Sequence, residues 1–496
     1  MSDREIHLSL ISHTNVGKTT LARTLVGHDV GEVRDAPHVT EAAEGYLLVE
    51  TPEGDALRLW DTPGFGDSAR LARRLEQSGN PIGWFLAQVW DRFRDRPFWS
   101  SQRAVRNVRE QADLSLYLVN ASEDPADAGY VDPEMRILAW IGKPAIVLLN
   151  QSGEPRPRAE EEADVARWRK AVGHHAFVRD VLPLDAFARC WVQEFVLLAA
   201  IGEALPAARQ PAFARLAEAW RARRMEIFAA SMAAIAEHLA RVACDRETLD
   251  QQGVGARLRE VGKALGLGAA DADSSKDRAM RALAARLDAG TRETLDRLVR
   301  AHGLDGTASG DVLARMTADF EVAAPMDEGK AALVGGIVSG ALTGLAADLA
   351  AGGLTFGAGL LAGGILGALG SAGLARGFNL VSGQAEASVR WSEDVLHGLV
   401  QAALLQYLAV AHYGRGRGQW RASEYPAFWK EEVAAMLAPR REAFQAIWRE
   451  RGDACEPSRI ATMLREPLES AALELLDRLY PGALPTANVP VGGAAL

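Results

Sequence analysis

Cysteine is scarce in this chain, with three in 496 residues at positions 190, 244 and 455. Their scatter excludes a zinc module built on paired cysteines. It also speaks against a disulfide framework and for a reducing compartment. Positive charge is short as well: 55 lysines and arginines face 65 aspartates and glutamates, a formal charge of −10. A protein that grips nucleic acid needs a basic surplus for the phosphates, so RNA and DNA are disfavoured as main partners. The opening MSDREIHLSLIS has no basic start followed by a long apolar stretch, so no signal peptide is read there. His174-His175 has no carboxylate or cysteine at ligand spacing, and no metal site is assigned to it.

Hydrophobic residues, at 48%, suffice for real cores, and the length calls for two or three domains. Residues 1–205 alternate short apolar runs with helical segments, the pattern of an α/β sheet domain. The runs expected as strands are Ile6–Ile11, Tyr46–Glu50, Ala56–Trp60, Leu114–Asn120, Ala145–Leu149 and Phe177–Leu182. They predict a mixed, mostly parallel six-stranded sheet. From 206 the strands stop, and Ala, Leu, Arg and Glu recur at helical spacing, as in ARLAEAWRARRMEIF. The expected plan is an all-α region over 206–330, a glycine-rich apolar hairpin over 331–383, further helices over 384–482 and a disordered tail over 483–496.

SHTNVGKTT, residues 12–20, follows the first strand and opens a helix. That is the arrangement of a phosphate-binding P-loop. Backbone amides of residues 13–19, among them Asn15, Val16, Gly17 and Thr20, would ring a polyphosphate. Lys18 would reach the β- and γ-oxygens, and the Thr19 hydroxyl would bind Mg²⁺. WDTPGFGD, residues 60–67, ends another strand. Asp61 is placed for the Mg²⁺ shell, and the Gly64 amide can approach the γ-phosphate. Between the two lies HVTEAAEG, whose Thr40 is the candidate third Mg²⁺ ligand or else a solvent-facing loop residue.

This succession resembles the translation-factor-related GTPases, most closely the Era/TrmE-like group, over the first 200 residues or so. TNVGKTT is similar to the group's first motif, Thr40 to its second and DTPG to its third. The fourth motif, Asn-Lys-x-Asp, is matched by Asn150, but Gln151 stands for the lysine and Gly153 for the base-reading aspartate. The fifth, Ser-Ala-Lys, is matched at Ala186 of Asp185-Ala186-Phe187. The resemblance implies GTP and GDP with Mg²⁺, slow hydrolysis, and catalytic roles for Lys18, Thr40 and Gly64. Phe65 stands where Ras-like enzymes place a water-orienting glutamine. The group's P-loop asparagine, here Asn15, helps bind K⁺, so hydrolysis stimulated by K⁺ or by self-association is implied. A GTPase domain joined to a helical C-terminal domain of unknown function resembles a set of bacterial proteins.

Two segments suggest partners. An insertion after the third motif, about 68–111, carries Trp84, Phe85, Trp90, Phe93, Phe98 and Trp99 among Arg92, Arg94 and Arg96. It reads as internal packing, as a self-association or protein-partner surface over 84–99, or as a nucleic-acid contact, since basic residues lie beside the aromatics. In 331–375, Gly336, Gly340 and Gly344 recur every fourth residue, as do Gly359, Gly363 and Gly367. Such glycine zippers let helices approach closely in lipid. The first arm is about 25 Å long against a bilayer core of about 30 Å. The alternatives are a membrane-docked hairpin and a buried one. The expected location is cytoplasmic, with attachment at the inner face of the cytoplasmic membrane if the hairpin inserts. Two other functions stay open: a ribosome- or RNA-assembly GTPase, and a nucleotide-bound scaffold that does not hydrolyse.

Overall fold

The computed structural model describes residues 4–27, 44–76, 96–152, 156–186, 190–248, 275–304, 378–382, 387–413, 426–452 and 454–484. Thr40, Gly153, the aromatic residues 84–93, the hairpin 331–375 and the tail from 485 lie outside them.

The chain divides into two compact units. The first comprises residues 1–227, 411–420 and 476–496. Its sheet has six strands: β1 (Glu5–Ser12), β2 (Glu44–Glu50), β3 (Ala56–Asp61), β4 (Leu114–Asn120), β5 (Ala145–Asn150) and β6 (Val178–Pro183). Their spatial order is β2-β3-β1-β4-β5-β6. Only β2 runs antiparallel, against β3; every other pair is parallel. The six expected strands are all present, within two residues at each end.

The interior strands explain the pattern. LSLYLVN and AIVLLN are apolar almost throughout and buried along nearly their whole length. A parallel strand covered by helices on both faces needs that composition. The covering helices with described ranges are α1 (Lys18–Val26), α2 (Ser68–Glu76), α3 (Arg96–Gln111), α4 (Val131–Ile141), α5 (Arg158–Val172) and α6 (Trp191–Ala204). Phe98, Val105 and Val108 of α3 join Leu71, Leu75, Tyr117, Met135 and Leu138 in one core cluster. The Arg70 guanidinium lies 3.8 Å from the centre of the Phe98 ring. This end of the aromatic insertion therefore packs inside the sheet domain itself.

The strand order reverses at β1. The chain leaves it for β2 and β3 on one side and later builds β4 on the other. In open α/β sheets, ligands bind at the carboxyl edge beside such a reversal. The P-loop sequence occupies that edge.

Downstream the chain is helical, as expected: α7 (Gln210–Cys244), α8 (Ser275–Ala301), α9 (Glu393–Ala411), α10 (Ala427–Leu437), α11 (Arg441–Arg449) and α12 (Pro457–Leu479). Two findings correct the sequence reading of this region. Strands do not stop at 206. The second unit holds a small antiparallel sheet of β7 (Arg246–Thr248), β8 (Phe378–Ser382) and β9 (Ala387–Trp391), ordered β7-β9-β8. Strands of three to five residues leave too short a run for alternation to register. In addition, the cysteines are not all free. Cys244 and Cys455 form a disulfide with Cα atoms 5.4 Å apart, 211 residues apart in sequence, while Cys190 is a buried thiol outside the disulfide. Nothing in local spacing reveals a pair brought together by the fold.

Among the described helices, α7 and α9 are long and apolar enough to cross a bilayer. Their apolar windows are 61% and 67% buried inside the protein, which is also how core helices read.

Candidate functional site

Strand β1 ends at Ser12, and α1 starts at Lys18. The five residues between make the turn with two left-handed backbones, Asn15 at φ 65° and Gly17 at φ 88°. Gly17 has a further reason to be glycine: a Cβ there would fall 2.7 Å from Asn150 Nδ2. Ser12, in the place of the usual first glycine, is part of β1 and pairs with Leu118. It has no left-handed backbone, so a serine fits without strain.

The Ser12 side chain is put to use. Lys18 Nζ donates to Ser12 Oγ at 2.8 Å, and the Ser12 hydroxyl donates to the His13 carbonyl. Lys18 is buried, and burial holds its ammonium below the ordinary lysine range. Asp61 and Glu134 oppose that shift through their charge.

The DTPG segment closes over the loop. Thr62 Oγ1 donates to the Leu10 carbonyl at 2.5 Å, and the Phe65 amide donates to the Ser12 carbonyl at 3.0 Å. Gly64 sits so close that a Cβ would lie 3.1 Å from both Lys18 Nζ and Thr14 Cα. A side chain there would fill the cradle. Phe65 is buried in the core cluster, so it anchors the start of this segment from below.

Thr19 Oγ1 donates to Asp61 Oδ2 at 2.6 Å. A hydroxyl and a carboxylate in contact beside a buried lysine form the hard-oxygen donor set that Mg²⁺ takes when it is shared with a phosphate. The residues present therefore fit the ion. Thr40, the third expected ligand, lies outside the described residues.

At the other end of the loop, Asn150 is fully buried and bonds twice. Its Nδ2 donates to the Val16 carbonyl at 2.6 Å, and its Oδ1 accepts the Ala186 amide at 2.7 Å. Gln151 Nε2 donates to the Asn15 carbonyl at 3.3 Å. Thr24 Oγ1 of α1 donates to the Ala186 carbonyl at 3.2 Å. The expected fourth-motif residues thus meet the P-loop directly, and the fifth-motif Ala186 is joined to Asn150 and to α1. Thr20 is buried on α1, while Asn15 is exposed at the turn.

Sequence reasoning missed a second layer behind the loop. Glu134 of α4 is fully buried and accepts from His13 Nδ1 at 2.8 Å, Ser68 Oγ at 2.5 Å and Tyr117 Oη at 2.7 Å. Burial, then the Glu134 charge, pushes the Tyr117 phenol well above its usual range. The His13 ring stacks on Tyr130, centroids 4.5 Å apart. The network ties the P-loop to the first residue of α2. Its one sequence signal is a glutamate on the apolar face of VDPEMRILAWI, an acid where the period asks for a hydrophobe.

Residues 175–480 match the family described as "Domain of unknown function (DUF3482)", and residues 7–151 match the "50S ribosome-binding GTPase" family. GTPase Der of Clostridium novyi (strain NT) is 26% identical over 153 residues, 30% of this chain and 28% of that protein. GTPase Era of Heliobacterium modesticaldum (strain ATCC 51547 / Ice1) is 27% identical over 144 residues, 29% of this chain and 38% of that protein. The chain thus spans well under half the length of these curated relatives. A crystal structure of an Aquifex aeolicus Era variant bound to GDP.AlF4− shares 18% identity at a TM-score of 0.31, covering 41% of this chain and 57% of that one. The N-terminal part is a P-loop GTPase domain of the Era and Der type.

Proposed function

The chain belongs to the DUF3482 family, and from that premise we propose that it binds GTP, hydrolyses it slowly with Mg²⁺, and uses the nucleotide state to reposition its helical C-terminal region. The observation that carries this reading is the Thr19–Asp61 contact of 2.6 Å beside buried Lys18. It assembles a cation-binding pair and a phosphate-binding ammonium at the mouth of one loop.

In the bound state Lys18 turns from Ser12 Oγ to the β- and γ-phosphates. The amides between His13 and Thr19 take the remaining oxygens. Thr19 and Asp61 would hold the metal, which would supply positive charge to those oxygens. The Gly64 amide meets the γ-phosphate. A water attacks the γ-phosphorus, the bond to the β–γ bridging oxygen breaks, and GDP, inorganic phosphate and a proton result. Phe65 cannot orient that water, so the basal rate is slow. Asn15 is the residue that would hold K⁺, which would supply positive charge there; a second copy of the chain is the other candidate source. Loss of the γ-phosphate frees Gly64, and with it the segment leading into α2.

The test is binding of labelled GTP, GDP and ATP to wild type and Lys18→Ala, followed by phosphate release with K⁺ or Na⁺. Wild-type binding that Lys18→Ala abolishes, with turnover raised by K⁺, supports the reading. Binding that survives Lys18→Ala ends it.

The family name on residues 7–151 favours a second reading, a ribosome-associated GTPase. The net charge of −10 opposes it. Nuclease-sensitive co-sedimentation with ribosomes would decide for it. Membrane docking through 331–375 rests on the glycine spacing alone, and its test is flotation with liposomes.

A further inference from the structure

GTPases that this chain resembles read guanine with an aspartate three residues after the asparagine at the end of the fifth strand. Here that position is Gly153, which has no side chain to offer. A carboxylate from the loop after β6 nevertheless bonds the residue that precedes it in the chain. Asp185, just after β6, accepts the amide of Ser152 on Oδ2 at 2.6 Å. Ser152 is the residue immediately before Gly153.

The carboxylate is held in register with the phosphate loop. Asn150 bonds both the Val16 carbonyl and the amide of Ala186, the residue after Asp185. The Leu184 amide, on the other side, donates to the Leu149 carbonyl at 3.0 Å. Asp185 is therefore pinned from both neighbours and through its own side chain. It is also buried, at 5% exposure, so a base bonded to it would meet little competing water.

We propose that Asp185 is the base-reading residue of this site, replacing from the loop after β6 the aspartate absent at 153. This rests on the nucleotide-binding reading above. A carboxylate has about four lone-pair directions, so bonds to the protein, the Ser152 amide among them, are compatible with accepting from a base as well. Guanine presents two adjacent donors on one edge, N1–H and the 2-amino group. Adenine presents an acceptor at N1 and no amino group at C2, so it is refused at the same place. The inferred ligand is a guanine nucleotide, chosen by Asp185 and not by the motif residue.

The experiment is calorimetric titration of GDP, XDP and ADP, with Mg²⁺, into the full chain as wild type, Asp185→Asn and Lys18→Ala. Xanthine keeps N1–H but carries a carbonyl in place of the 2-amino group. An asparagine accepts from the one and donates to the other, so Asp185→Asn is expected to lose roughly 100-fold in GDP affinity and to bind XDP more tightly than wild type does. Unchanged GDP binding by Asp185→Asn overturns the proposal. So does equal loss of GDP and XDP, which marks Asp185 as merely structural. The Lys18→Ala arm reads the underlying site separately. If wild type binds GDP and Lys18→Ala does not, the loop holds nucleotide whatever Asp185 does. If wild type binds none of the three, both readings fall.

Discussion

Lys18 and Ser12 are bonded across the mouth of the phosphate loop, Nζ to Oγ at 2.8 Å. A serine in the place of the usual glycine gives the lysine a resting partner, which it must leave to meet a phosphate. Hydrogen bonds to charged groups contribute about 1.5–3 kcal/mol. Ser12→Ala is expected to lower the melting temperature of the nucleotide-free protein and to tighten GDP binding up to about tenfold. Differential scanning calorimetry and titration calorimetry read the two effects. Weaker GDP binding in Ser12→Ala would show instead that the hydroxyl serves the bound state.

Glu134 is a fully buried acid with three donors, His13, Ser68 and Tyr117. Replacing it with leucine strands those donors, at about 1–3 kcal/mol for each one left buried and unbonded. Glu134→Leu is expected to unfold at markedly lower urea concentration. Because the network joins the P-loop to α2, Glu134→Gln, which keeps an acceptor, is expected to fold and yet bind GTP more weakly. Equal affinity in Glu134→Gln and wild type would confine the network to stability.

His238 packs against α8, with Nε2 3.1 Å from Thr291 Oγ1 and with no room for a Cβ on Gly290. Burial, aided by the Arg241 charge, lowers its pKa from 6.5 to about 4. The folded protein thus binds this proton less readily than the unfolded chain. Stability is full above the unfolded value of 6.5 and declines as pH falls towards 4. Over that window the loss is of order 3 kcal/mol. Urea titrations from pH 7 to pH 4 should show the decline in wild type and a shallower one in His238→Gln.

Cys244 and Cys455 close a loop of 211 residues. Disulfides over long loops typically add about 2–5 kcal/mol, in good part by restricting the unfolded chain. Denatured, unreduced protein should titrate one thiol with Ellman's reagent, from Cys190, and three after reduction. Dithiothreitol or Cys455→Ser should lower the melting temperature. Three titratable thiols in freshly purified protein would show that the bond does not form under those conditions.

Much of the candidate site's layout was legible beforehand because its residues are contiguous. Gly17, Lys18 and Thr19 are neighbours, and their expected roles follow from backbone amides that a short turn aims at one point. Asp61 and Gly64 were legible from the strand that ends just before them. Phe65 was read only as a residue unable to orient water; its burial in the core and its amide bond to Ser12 needed the fold. His13, Glu134 and Ser68 were invisible as a group, since 121 residues separate the histidine from its glutamate.

The six strands of the first unit, the loop that begins α1 and the helical character beyond residue 206 were determined by the sequence itself. Periodicity, apolar runs and glycine placement act over a few residues, and local backbone energetics reads them directly. Tertiary structure alone decided which groups meet: Ser12 with Lys18 across the loop, the Asp185 carboxylate with the Ser152 amide, Cys244 with Cys455. Such pairings depend on how whole elements pack. No rule of spacing along the chain encodes a distance that exists only once the core has closed.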